Sequence, residues 1–163
     1  MGDVGREAGG LRRSRLNILT EDEINYIKTE IKTEIKQINA DESKFLFNQG
    51  YRTGYLDEDD TITVRGDILP DTYSINPRDI MSVRAVLAHE YYGHRSYRGT
   101  ALRKGSWNDE FRASYMAAKI APGLSDDDRG ELIIDAVKRA NEAGVSIKHN
   151  AFMRRVLYGF NQG

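Results

Sequence analysis

Isoleucine recurs at positions 24, 27, 31, 35 and 38, just behind the segment Thr20-Glu-Asp-Glu23. Spacings of three and four place these side chains on one stripe of an α-helix. The Thr-x-x-Glu opening is a capping box, in which Thr20 accepts from the N3 amide and Glu23 reaches back to the N-cap amide. The intervening Lys and Glu residues read as a solvated face. A helix with one apolar stripe must lay it against another element, so the rest of the chain has to supply a packing partner. The Lys-Thr-Glu-Ile echo at 28–31 and 32–35 is too short to signal a repeat architecture.

Turn and cap residues divide the chain on either side of this helix. Residues 1–19 are glycine-rich, carry Arg12, Arg13 and Arg15, and lack the apolar run of a secretory signal. They read as a flexible arm, and 20–163 as one domain. Phe45-Leu-Phe47 reads as a strand or a helix end. Tyr51–Leu56, Thr61–Val64 and Thr72–Ile75 are aromatic and β-branched, with turn residues between them, and read as short strands. Asn76-Pro77 caps and opens a helix over roughly 78–93 that turns Ile80, Val83, Val86 and Leu87 inward. Gly93 marks a stop or a bulge, and a loop rich in Arg and Gly covers 95–105. Ser106 opens the next helix, which Pro122-Gly123 ends. Ser125-Asp-Asp-Asp128 caps another, with Leu132, Ile133, Ala136, Val137 and Ala140 facing the core and Gly144 at its end. A last helix near 147–158 carries Phe152, Met153, Val156 and Leu157. The expected fold class is α+β, mainly helical, with a small antiparallel sheet preceding the helix that carries His89.

Composition narrows the chemistry. The chain has 163 residues, 39% hydrophobic and 30% charged, with a formal net charge of −1. That balance gives no global electrostatic case for nucleic acid or an anionic membrane, and no apolar run is long enough to cross a bilayer. With no cysteine, a disulfide framework, a thiolate metal site and a cysteine nucleophile are excluded. Any metal must be held by His, Asp or Glu, and the histidines are His89, His94 and His149. His149, beside Asn150 at a helix start, reads as a surface or capping residue.

His89-Glu90-Tyr91-Tyr92-Gly93-His94 gathers three ionisable groups on a predicted helix. A catalytic zinc site needs neutral imidazoles and a carboxylate, with one position left to water. The ion lowers the pKa of that water, and a nearby carboxylate takes its proton. Histidines four residues apart sit ~40° from one another around an α-helix, but five residues give ~140°, which would part His89 and His94. A π-bulge with i→i+5 bonding, or a helix end at Gly93, would bring them together, and a residue without Cβ eases either distortion. A regular α-helix through His94 is therefore not expected. In the next helix, Trp107-Asn-Asp-Glu-Phe-Arg-Ala-Ser-Tyr-Met-Ala-Ala118, Glu110 lies in the first turn. Ala113, Ala117 and Ala118 form a small-residue face that allows close approach to another helix. Asp109 competes with Glu110, although adjacent acids at a helix start also complement its dipole.

Over residues 75–121 this pair of segments resembles the active-site helices of gluzincin-type zincin metallopeptidases, with an HExxxH variant of their motif. The resemblance implies Zn2+ held by His89, His94 and Glu110, with Glu110-Phe-Arg-Ala113 as the third-ligand segment. It also implies Glu90 as general base and a peptide or protein substrate. The same wording is similar to predicted cargo and toxin domains at the ends of phage-head and polymorphic-toxin proteins. That would make the chain part of a larger polypeptide or phage/toxin system. It would then be cytoplasmic, or delivered by an export or injection system not encoded in this segment.

Tyr91, Tyr92 and Tyr97 read either as cleft lining or as core, and Trp107 as a packing anchor. Arg95, Arg98 and Arg103 read either as a solvated rim or as binders of a substrate carboxylate or phosphate. Together they leave a second enzyme reading open: a metal-free nuclease-type toxin with His89 or His94 and Glu90 as acid and base. The near-neutral charge argues against nucleic acid. A non-enzymatic interaction domain, with a closed structural metal or none, is the third reading.

Overall fold

The computed structural model describes residues 20–47, 53–65, 68, 80–100 and 102–159. Helix α1 spans Glu21–Gln37, and both halves of the Thr20/Glu23 capping box are formed. Ile27, Ile31, Ile35 and Ile38 are almost fully buried. Each such burial is worth ~1.5–3 kcal/mol, so this stripe fixes α1 against α2, the short helix Val83–Ala88.

Between them lies a three-stranded sheet of β1 (Phe45–Phe47), β2 (Gly54–Leu56) and β3 (Thr61–Val64), in the order β1-β3-β2. A 3₁₀ turn at Glu42–Lys44 feeds β1, with Asp41 as its cap. The sheet is mixed rather than purely antiparallel: β2 and β3 form an antiparallel hairpin, whereas β1 runs parallel to β3, with Phe47 opposite Val64. Strands of three or four residues carry too short an alternation to specify direction. The path decides it, because β1 enters from α1 and takes the edge that the hairpin leaves open. Tyr51 and the expected strand at 72–75 lie outside the described residues.

The helix carrying His89 starts later than expected. Its cap is Ser82, whose hydroxyl accepts from the Ala85 amide, after a break at Met81–Ser82 that follows the helical Ile80; Asn76 lies outside the described residues. Pro77 lies outside the described residues. Val83, Val86 and Leu87 are buried as expected, but Ile80, placed before this cap, is 41% exposed. Farther along the chain come α3 (Trp107–Ile120, capped by Ser106), α4 (Asp126–Glu142, with a Ser125/Asp128 capping box) and α5 (Ala151–Tyr158, capped by Asn150). Helix α3 packs against both α4 and the segment His89–His94, and α5 covers α4. Ala113, Ala117 and Ala118 are fully buried, as a face built for close approach requires. No helix among the described residues is long and apolar enough to cross a membrane.

Candidate metal centre

From His89 to His94 the backbone is a six-residue π-helix that continues α2 and runs into a 3₁₀ turn at Arg95–Tyr97. This i→i+5 winding brings onto one side the two imidazoles that α-helical winding would separate. Their ring centroids are 4.7 Å apart, edge to face at 82°. Gly93 has a role distinct from flexibility. A Cβ there would lie 2.3 Å from the carbonyl oxygen of Ala113, so Gly93 lets α3 lie backbone to backbone against the π-segment. That contact sets the distance across which α3 delivers Glu110.

Glu110 Oε1 receives both rings, at 3.0 Å from His89 Nε2 and 3.2 Å from His94 Nε2. His89 and Glu90 are buried. Glu90 has no hydrogen bond or ion pair among the described residues, and burial pushes its carboxyl pKa up, opposed by His89 and His94. An unpaired buried carboxylate costs on the order of several kcal/mol if it is charged, and Glu90 lies in such a place beside two histidines. Burial opposes the charge on His94, but the hydrogen bond to Glu110 and the nearby Glu90, Glu110 and Asp109 carry its pKa up to about 9. Burial disfavours a charged Glu110 too, yet its bonds to His89 and His94 and their charge hold it well below the usual carboxylate range.

Two overlapping sets of ligating atoms lie within 4.8 Å of one another: His89, Glu90 and His94; and His94, Asp109 and Glu110. Asp109 is the less available acid. Its oxygens accept from the Gly105 amide at 2.9 Å and from Arg112 at 2.8 Å, and its 3.7 Å separation from His94 Nδ1 is long for a hydrogen bond. Two imidazoles and one or two oxygen donors, with no thiolate, form a donor set suited to zinc.

These groups line a cleft of about 450 Å³, bordered by Thr53–Tyr55 on one side and by Tyr97–Thr100 and Lys104–Gly105 on the other. Strand β2, which supplies the first border, is an outer strand of the sheet among the described residues.

The arrangement separates the sequence-derived candidates. His89, Glu90, His94 and Glu110 meet at the cleft, and Tyr97 and Arg98 line it. Tyr91 and Tyr92 turn away instead. The Tyr91 hydroxyl accepts from the Asp41 amide, and the Tyr92 hydroxyl donates to the carbonyls of Ile38 and Asn39, so both anchor the π-segment to the end of α1. Arg95 does not line the cleft; it grips Asp60 through Nε and Nη2 and lies over the Tyr91 ring. Arg98 is also engaged, with Asp60 and the Asp57 carbonyl. Trp107 stands edge-on to Phe111. His149 is remote, beside Tyr158, with its carbonyl bound by Arg154.

Three residues at the site are not picked out by the sequence pattern: Ser114, Asp135 and Arg139. Ser114 Oγ is 2.7 Å from His89 Nδ1, Asp135 binds Ser114, and Arg139 Nη1 is 3.3 Å from Glu110. A signal existed. Asp135 and Arg139 fall next to Leu132, Ala136 and Ala140 on the inward face of α4, where a charged residue needs a partner.

Comparison with protein-family models, with curated proteins and with solved structures finds no match to this chain. The functional reading therefore stands on the site.

Proposed function

We propose that this chain is a zinc-dependent hydrolase, most simply a metallopeptidase, with His89, His94 and Glu110 holding the ion and Glu90 as general base. The observation that carries the proposal is the meeting of His89 Nε2 and His94 Nε2 at Glu110 Oε1, made possible by the π-winding and placed on a cleft beside a buried carboxylate. Zinc bound there supplies an electrophile and a water of pKa lowered toward ~7.

The chain's own groups supply the rest. Glu90, its basicity raised by burial, accepts a proton at a carboxylate oxygen and can return it to the leaving amine. Arg139, at the cleft wall, is ion-paired with Glu110 and with Asp135 and keeps the Glu110 carboxylate in place. The β2 edge at Gly54 and Tyr55 offers backbone groups to an extended peptide. A phosphate-binding nuclease is less well supported, because Arg95 and Arg98 are already committed to Asp60 and Asp57.

Elemental analysis of protein purified without chelator from zinc-replete medium is the direct test, with about one zinc per chain expected. Absence of metal rejects the proposal. In a peptide-library digest, Glu90→Gln should retain zinc and fold but lose cleavage. If it loses zinc instead, Glu90 is a ligand.

A further inference from the structure

Behind the two histidines, side chains from α3 and α4 close an unbroken ring. His89 Nδ1 lies 2.7 Å from Ser114 Oγ, and Ser114 Oγ lies 2.6 Å from Asp135 Oδ2. Arg139 Nε is 2.8 Å from the same carboxylate oxygen, and Arg139 Nη1 is 3.3 Å from Glu110 Oε1. Glu110 Oε1 returns to His89 at Nε2, 3.0 Å away. Ser114 and Asp135 are both inaccessible to solvent.

Donor counting sets the direction of each bond. An ionised carboxylate only accepts, and Asp135 is ion-paired with Arg139. The short contact between Ser114 and Asp135 therefore carries the serine's single hydroxyl proton. Having given it, Ser114 presents only lone pairs to His89, so the contact to Nδ1 requires a proton on that nitrogen. Nε2 faces Glu110 Oε1 and donates to it in the metal-free chain, so an ion taking this position displaces the Nε2 proton while Ser114 keeps the one on Nδ1. Without the serine oxygen, Nδ1–H would be a buried donor lacking an acceptor. A ring left with one proton would then carry it on Nε2, where Glu110 Oε1 accepts it, and the ligating position would be blocked.

We propose that Ser114 and Asp135 are positioning residues that hold the proton on His89 Nδ1 and so dedicate Nε2 to the metal. Arg139 fixes Asp135 on one side and Glu110 on the other. The proposal rests on the zinc reading of the same site, but its first readout, the location of one proton, is independent of any ion. Asp135 and Arg139, one helical turn apart on α4, thereby steady the first and third ligands from a helix that contributes no ligand itself.

The experiment uses the full chain, isotope-labelled, in chelator-treated and zinc-titrated forms. Proton–nitrogen correlation spectra of the imidazoles and a zinc titration are recorded for the native protein and for Ser114→Ala. In the native protein His89 Nδ1 should be protonated with and without zinc. In Ser114→Ala the zinc-free ring should keep a proton on Nε2 and lose the one on Nδ1, and zinc affinity should fall ~10–100-fold although His89, His94 and Glu110 are intact. An unprotonated Nδ1 in the native protein, or unchanged affinity in Ser114→Ala, overturns the proposal. If Ser114→Ala does not fold, the native spectrum decides alone: a protonated Nδ1 upholds the proposal and a bare one overturns it. Failure of the native chain to bind zinc appears separately, in the titration, and rejects the metal reading instead.

Discussion

Two carboxylates in this molecule each gather several donors, and they are not alike. Asp60, in the turn between β2 and β3, is held by the Tyr55 hydroxyl at 2.7 Å, Lys44 at 3.1 Å, Arg95 at 3.0 Å and Arg98 at 3.4 Å. Glu110 is held by His89, His94 and Arg139. Both carboxyls are driven below their ordinary pKa range, Asp60 first by its bond to Tyr55 and Glu110 by the two imidazoles against the cost of burial. The difference lies in the donors. Those of Asp60 are a phenol, an ammonium and two guanidiniums, and the cluster acts as a clamp between the hairpin and the segment after the π-helix. Two of the donors to Glu110 are imidazoles, whose protons an ion can replace. Glu90 and Asp109 lie beside the Glu110 cluster, whereas the Asp60 cluster gathers three basic side chains and a phenol around one carboxylate.

The largest effects that would break this contrast come from the ligands. His89→Ala, His94→Ala and Glu110→Ala should each weaken zinc binding by more than about 100-fold, beyond what residues outside the ligand sphere usually cost. Asp60→Asn should leave the affinity within about twofold, since Asp60 is bound by Tyr55, Lys44, Arg95 and Arg98 and not by His89, His94 or Glu110. Calorimetric titration of the four variants checks this, and a comparable loss in Asp60→Asn would erase the distinction.

Proton competition should come next in size. His94 takes up its proton at about 9 in the metal-free chain, so zinc must displace that proton at lower pH. Apparent affinity should rise about tenfold per pH unit from neutrality to that value and then level off. The sign for the metal-free fold is opposite. A raised histidine pKa stabilises fully below its unfolded value near ~6.5, and the contribution is lost as pH rises through the folded value. Zinc affinity measured by competition against a chelator of known pH dependence would show the slope, and a flat profile would mean that His94 is not displaced.

Gly93→Val tests the scaffold that the two clusters share. The added Cβ meets the Ala113 backbone at 2.3 Å, which no rotamer change relieves, so global stability should fall by roughly 1–3 kcal/mol, the range for overpacking. Zinc affinity should fall with it. A variant that kept its stability while losing zinc would show that Gly93 serves the winding rather than the packing. The smallest effect belongs to Asp60→Asn on stability. Because the Asp60 pKa is depressed, its contribution is present above the ordinary Asp value of about 3.9 and is lost below it. The variant should melt lower than native at pH 7, and the gap should close as pH falls below ~4. A gap that persists in acid would assign the effect to packing around Tyr55.

The helical half was legible because helix signals are local. Thr20, Ser106, Ser125 and Asn150 each cap a helix close to where the sequence places one, and the isoleucine stripe is buried as its spacing requires. The spacing of His89 and His94 also foretold a distorted helix, because a regular one would have driven the rings apart. Other features depend on contacts distant in sequence. The parallel partnership of β1 and β3 joins residues 17 positions apart, Phe45 with Ile62, and no three-residue pattern encodes it. Tyr91 and Tyr92 lie between Glu90 and His94 in sequence, yet the same winding that joins the histidines points the tyrosines at α1. Asp135 and Arg139 stand out as charges on the inward face of α4, but the pattern does not say that Ser114 and Glu110 are their partners. Arg95 and Arg98 have the chemistry of anion binders, and only the turn at Asp57–Asp60 shows that their anion is already part of the chain.

The π-segment also acts as a phase adjuster. Each residue of an α-helix advances the chain by ~100°, so the wide turn at His89–His94 sets how far everything after it is rotated relative to everything before it. Before it, Val83, Val86 and Leu87 are locked into the core. After it, Gly93 is locked against Ala113 and Arg95 against Asp60. Many single replacements at Tyr91 or Tyr92 keep that phase, but removing either residue cannot, because one side of the segment would have to turn out of its seat. In a scan of the gene, this stretch should tolerate substitution far better than a one-codon deletion.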